Sequence, residues 1–282
     1  MTINENIKEV NNYVSKSNLP TYDYVINPYI GCPHACKYCY ASFMKRFTNH
    51  NKEEWGSFVD IKVCDKKINV KKLENQTVLL SSVTDCYNQL EAKYQLTRSI
   101  LEQLKDSNVI LGIVTKSHLI LRDVGILKQI KNLTVAISIN TLDEEFKKDM
   151  DHASSIKDRL NTLKTLRENG IHAVLFMSPM FPYITDFKSI IETSKDYIDE
   201  YWFENLNLRG DYKYRILNYI EDKYPHLIEK YKEIYLKGHM EYWELLAKDI
   251  QNYCETIGVK YENYFYHEQL VKNKLEKRNS KI

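Results

Sequence analysis

Residues 31–40 read GCPHACKYCY, directly after an apolar run, Tyr24–Ile30, that reads as a strand. Cys32, Cys36 and Cys39 stand there in the spacing C-x3-C-x2-C. Three thiolates on one short loop can each ligate one iron of a [4Fe–4S] cube. The fourth iron is then left without a protein ligand, and an open coordination position is where chemistry happens. The competing reading is a structural zinc site, a non-catalytic interaction module on the same scaffold. Zinc takes four ligands, commonly from two paired knuckles. Here there is one knuckle, with only His34 or Cys64 to complete it. A disulfide fits neither the threefold spacing nor a reducing compartment.

Outward from this loop, strand-like runs alternate with longer amphipathic stretches. The strands are expected at Tyr24–Ile30, Thr77–Val83, Val109–Thr115, Thr134–Ile139, Ala173–Ser178 and Trp202–Leu208. Helices are expected at Lys37–Phe47, Leu90–Lys105, Leu119–Ile130, Ser155–Asn169 and Phe187–Tyr197. Repeated βα units build a parallel sheet with right-handed crossovers. Six units suit an open partial (β/α)6 barrel as well as a doubly wound sheet, and periodicity does not choose between them. Phe58–Cys64 alternates as an extra strand, and Val259–Tyr266 is also strand-like. The expected organisation is a polar N-terminal arm or short helix over 1–20, a barrel over 21–210, and a helical C-terminal extension over 211–282 ending in a basic tail.

The loop resembles the signature of the radical SAM superfamily. That family places C-x3-C-x2-C after the first strand of a partial (β/α)6 barrel, with an aromatic residue just before the third cysteine, here Tyr38. The resemblance implies that S-adenosylmethionine chelates the open iron through its amino and carboxylate groups. One-electron reduction then cleaves the sulfonium, and a 5′-deoxyadenosyl radical abstracts hydrogen from a substrate. Further along, SSVTD at 81–85, VTKSH at 114–118, SIN at 138–140, KDRL at 157–160 and Ser178–Pro179 resemble the spore photoproduct lyase branch. There is no Gly-Gly-Glu after the second strand, a departure shared with that branch. The chain is also similar to radical SAM proteins encoded as mobile pairs, which implies a second radical SAM protein as partner. The chemistry implies an electron donor such as a flavodoxin or ferredoxin.

Thr84, Lys116, Ser138 and Ser178 fall at expected strand C-termini, the face where βα barrels keep their active sites. Lys116 can supply the positive group that a carboxylate needs. Thr84 and Ser138 can supply polar contacts to a ribose or amino group. The resemblance assigns Lys116, Thr84 and Ser138 to the cofactor, and Tyr38 and Ser178 join them as cofactor-binding candidates. A satisfied cap is the alternative for each hydroxyl. The catalytic candidates are Cys86 and Tyr40. Cys86 sits at an expected helix N-terminus, which lowers a thiol pKa and aims it into the barrel mouth; its alternative is a small buried hydrophobe. Tyr40 has packing under the cluster as its alternative. In the lyase a cysteine on the second strand returns hydrogen to the repaired thymine, and Ser82 stands at that position here. A serine O–H is too strong a bond for that task.

With 43% hydrophobic residues the chain can bury a core, and 8 Gly and 6 Pro argue against a low-complexity or turn-dense sequence. A net charge of +2 gives no sign of a nucleic-acid partner held by bulk charge. No stretch is long and apolar enough to span a bilayer. The N-terminus has no signal-peptide core, so the expected location is the cytoplasm. Residues 271–282 carry five positive charges against one negative, which reads as a solvated end or a weak contact for an anionic partner.

Overall fold

The computed structural model describes residues 2–265. Eleven strands occur among them: β1 (Asn4–Glu9), β2 (Val14–Lys16), β3 (Tyr24–Ile26), β4 (Tyr29–Ile30), β5 (Phe58–Val63), β6 (Thr77–Leu80), β7 (Ile110–Thr115), β8 (Asn132–Ser138), β9 (His172–Met180), β10 (Glu200–Asn205) and β11 (Tyr261–Asn263). Eight form one sheet in the order β11-β10-β9-β8-β7-β6-β3-β2. Every pair from β3 to β11 is parallel, and β2 alone runs antiparallel at the edge. The edges β2 and β11 do not pair with each other, so the sheet is an open, partial barrel.

The central strands are near-continuous apolar runs because both faces are covered, as a parallel sheet requires. Val78, Leu80, Leu111, Ile113, Val135, Ile137, Val174 and Leu175 are all buried. Gly112 in β7 leaves room for the Tyr22 hydroxyl, which lies 2.3 Å from where a Cβ would stand. A small second sheet, β1-β5-β4, flanks the first strand. It brings the start of β5 against the exit of β4. Gly31 meets it there with φ +86°, and a Cβ on Gly31 would lie 2.3 Å from the Phe58 carbonyl oxygen. That close approach sets where the cysteine loop begins.

Four local expectations give way. Residues 4–16 form strands, not an arm or short helix, because backbone pairing with β5 and β3 holds a segment that lacks an apolar face. The expected helix at Lys37–Phe47 is a 3-10 helix confined to Tyr40–Phe47, since Cys39 N–H is tied back to Cys36 O at 3.1 Å in the loop. Leu90–Lys105 splits into Glu91–Tyr94 and Leu96–Leu104 at Gln95, whose φ is +51°. Glu91 holds the break by accepting from the Thr97 and Arg98 N–H groups at 2.9 and 3.2 Å. A helix at Glu144–Met150 was not expected; Asp143 caps it by accepting from the Glu145 and Phe146 N–H groups. Beyond 211 the chain is helical over Gly210–Lys223, Ile228–Tyr235 and Glu241–Ile257, then adds β11 to the sheet. Tyr266 and the basic tail lie outside the described residues. No helix among those described is long and apolar enough to cross a membrane.

Candidate active site

Cys32, Cys36 and Cys39 lie on the loop that leaves β4, and all three are free. Cys32 and Cys36 are buried and Cys39 is half-buried. Backbone turns shape the loop: Ala35 N–H donates to Cys32 O, and Cys39 N–H to Cys36 O, each at 3.1 Å. Burial pushes all three thiols up, and their mutual repulsion adds to this at Cys32 and Cys36. Three thiols that feel one another in a desolvated pocket want a cation to replace their protons, and a metal deprotonates a coordinating thiol outright. Among the described residues no three His, Cys, Asp or Glu side chains are gathered closely enough to hold a single metal ion. A cube takes each thiolate on a different iron and accepts ligands set further apart. Three thiols on one short loop suit the donor set of an iron–sulfur cube.

Of the candidate fourth zinc ligands, only Cys64 is engaged elsewhere. His34 is buried with Nδ1 3.3 Å from the Asp85 carboxylate. Cys64 follows the far end of β5, and its thiol donates to Lys66 O. Six residues along an extended strand separate it from Phe58, roughly 20 Å.

Two buried carboxylates clamp the loop. Asp85 follows β6 and accepts from Tyr87 N–H at 2.9 Å, Thr115 Oγ1 at 2.7 Å and Lys116 N–H at 2.8 Å. Burial opposes its ionisation, but the His34 ring and these donors prevail and hold the carboxyl down at about 2. Asp151 lies on the other side, where Tyr38 donates to it at 3.4 Å. Burial raises its pKa and is outweighed by Arg159, Lys116 and Lys147, so the net shift is downward. Arg159 is itself 1% exposed and also donates to Ser138 O at 3.1 Å. His152 N–H closes the clamp by donating to His34 O at 2.8 Å.

The sequence-predicted residues gather at the C-terminal ends of β6–β9. Lys116 follows β7, with its ammonium 5.7 Å from the Tyr38 ring centroid. Its charge favours the thiolates of Cys36 and Cys39. Among the described residues it makes no ion pair. Thr84 donates its hydroxyl to Gly31 O at 2.7 Å, so it anchors the loop as well as facing it. Ser138 ends β8 and is 2% exposed. Ser178 donates to Glu204 at 2.5 Å. Glu204, near the end of β10, was missed by sequence reasoning; a glutamate at a strand C-terminus was the available signal.

The two catalytic candidates lie in different surroundings. Cys86 does not start a helix. Asp85 and Asn88 form successive side-chain turns, and the helix begins at Glu91. Cys86 has no exposed surface, and burial with the nearby Asp85 charge pushes its thiol well up. It is packed in the core, not aimed into the mouth. Tyr40 is 55% exposed, so it does not pack beneath the loop; its hydroxyl donates to Ser82 O at the rim.

An open parallel sheet, with a three-cysteine loop leaving β4 beside it and Lys116 at its strand C-termini, defines a partial-barrel protein with three thiols gathered on one loop. The chain belongs to the radical SAM superfamily, whose profile matches residues 26–195. It is 39% identical to an uncharacterised protein of Methanocaldococcus jannaschii over 77% of this chain and 82% of that one. It is 30% identical to an uncharacterised protein of Acidianus two-tailed virus over 66% and 68%. In fold it is similar to spore photoproduct lyase complexed with dinucleoside spore photoproduct, with a TM-score of 0.57, 16% identity, and cover of 78% of this chain and 66% of that chain. It is also similar to Streptococcus suis SuiB bound to S-adenosylmethionine, with a TM-score of 0.53, 15% identity and cover of 85% and 49%. The chain thus spans just under two thirds of the lyase and about half of SuiB.

The depressed Asp85 pKa makes a stability prediction. A carboxyl held at about 2 against an ordinary 3.8 stabilises the fold above pH 4, and that contribution is lost as pH falls toward 2. Asp85→Asn places an amide group against the Lys116 N–H or the His34 ring. It is expected to cost about 2 kcal/mol at neutral pH and to flatten the acid limb of stability. Urea unfolding from pH 2 to 7 checks both.

Proposed function

We propose that the chain is an enzyme that binds a [4Fe–4S] cluster through Cys32, Cys36 and Cys39 and cleaves S-adenosylmethionine reductively. The observation that carries this reading is the pairing of three desolvated thiols with the unpaired Lys116 ammonium at the same strand ends. When bound, the cluster would supply one electron that splits the sulfonium into methionine and a 5′-deoxyadenosyl radical able to take hydrogen from a substrate. Lys116 holds the methionine carboxylate, and Tyr38 keeps the ammonium in place by stacking beneath it. Glu204 and Ser178 offer acceptors for the amino group or ribose, with Thr84 and Ser138 beside them. The buried clamp of Asp85 and Asp151 keeps the loop rigid and dry. Tyr40 and Ser82 stand at the rim, where a substrate would enter. The electron comes from a donor of the flavodoxin or ferredoxin kind, and a second radical SAM protein is the proposed partner.

Replacing Cys32, Cys36 and Cys39 together with Ala should remove nearly all iron from anaerobically purified protein. Replacing Cys64, Cys86 and Cys254 together should leave it. Iron and sulfide analysis separates these outcomes, and a loss of iron only in the second variant would reassign the ligands. Lys116→Ala should weaken S-adenosylmethionine binding by about 1.5–3 kcal/mol, about 10- to 150-fold, the cost of a lost charged hydrogen bond. Equilibrium binding to the loaded protein measures it.

The substrate differs from that of the fold's lyase relative. Ser82 offers only an O–H, and its own surroundings confirm a structural engagement: its N–H donates to Asn27 Oδ1 at 2.8 Å and Asn27 Nδ2 donates to its hydroxyl at 3.2 Å. The one thiol nearby, Cys86, is enclosed. With no accessible S–H to return hydrogen, the chain is expected not to turn over dinucleoside spore photoproduct. Multiple-turnover thymine formation under reducing, anaerobic conditions would overturn that exclusion.

A further inference from the structure

Trp55 is 7% exposed, and its indole Nε1 is one of three buried side-chain polar atoms without a hydrogen-bond partner among the described residues. A buried donor left unsatisfied costs about 1–3 kcal/mol, so an orphan of this kind calls for an acceptor. The position is built, not incidental. The Trp55 ring meets the Phe58 ring edge-on at 5.9 Å. The next residue, Gly56, has φ +102° and presses on the cysteine loop, with Ala35 Cβ 2.4 Å from where a glycine Cβ would stand. Trp55 packs in one apolar cluster with Cys32, Ala41 and Phe58, against which Cys39 rests. The indole N–H favours the thiolate form of Cys39. Among the described residues no other acceptor competes for it.

We propose that the Trp55 indole N–H is a hydrogen-bond donor reserved for the Cys39 sulfur when that thiolate ligates iron, and that it raises the reduction potential of the cluster. This rests on the cluster reading above. A thiolate is a far better acceptor than a thiol, so the orphan finds its partner on loading. Reduction adds one electron to the cluster, moves more negative charge onto the ligating sulfurs and transfers no proton from the indole. A donor aimed at one of those sulfurs therefore stabilises the reduced form more than the oxidised form. Hydrogen bonds to cluster sulfurs are a recognised determinant of potential. Trp55 is a positioning residue: it touches a ligand, not the substrate.

The test uses full-length protein loaded anaerobically, with iron and sulfide measured first. Trp55→Phe keeps the ring and its packing and removes the donor. At equal cluster content, it is expected to shift the reduction equilibrium about tenfold toward the oxidised form, about 59 mV for one electron, in a redox titration read by EPR. An unchanged potential in the loaded variant overturns the Trp55 proposal alone. Wild-type protein that binds no cluster overturns the underlying reading, and this proposal with it. Should the variant not load, wild-type protein labelled with 15N in its tryptophan indoles decides the matter. Electron–nuclear double resonance of the reduced cluster should show a 15N coupling and an exchangeable proton. Absence of both overturns the proposal.

Discussion

The carboxylate of Asp85 accepts hydrogen bonds from the end of β7 and from its own turn, and it faces the His34 ring of the cysteine loop. Thr84 adds a second tie between the turn and the loop, through Gly31 O. A buried charge is tolerated only when it is fully partnered, so the carboxylate fixes strand end, turn and loop at once. The same backbone N–H that satisfies Asp85 belongs to Lys116. The clamp that orders the cysteine loop thereby also fixes the point from which the lysine side chain departs. The placement of the cysteine loop and of Lys116 is thus set by one ion.

How much of this could be read from the chain depends on the range of the interaction involved. The cysteine spacing and the apolar strand before it are local, so the loop and the open parallel sheet were legible. The position of Lys116 was legible because it follows from where β7 ends. For Cys86 the sequence offered both a helix N-terminus and a small buried hydrophobe, and the structure shows the second. Two competing side-chain turns, at Asp85 and Asn88, delay the helix start to Glu91 and leave the thiol in the core. The N-terminal strands were missed because a sequence such as NENIKE carries no face pattern, and only pairing with β5 makes it a strand. Trp55 carried no signal at all. Its significance depends on a fold-back of β5 that puts its indole beside a cysteine on a separate loop.

The site also sorts its charges by whether they are already answered. Asp85 is met by His34 and by backbone and hydroxyl donors, and Asp151 by Arg159 and Lys147. Both carboxylates are therefore spent on structure, and neither is left to bind a cationic ligand. Lys116 is the opposite case: its ammonium sits over an aromatic ring and, among the described residues, makes no ion pair, though its charge still favours the Asp151 carboxylate. Near the end of β10, Glu204 accepts from the Ser178 hydroxyl and, among the described residues, makes no ion pair. An amino acid that brings its own carboxylate and ammonium would thus meet one positive group without an ion pair and one acidic group engaged by a neutral hydroxyl. Salt bridges completed before binding would have to be broken to admit it, at a cost of several kcal/mol in a desolvated pocket. Leaving these two groups unpaired avoids that cost, and it gives the opening a polarity that a zwitterion matches in one orientation only.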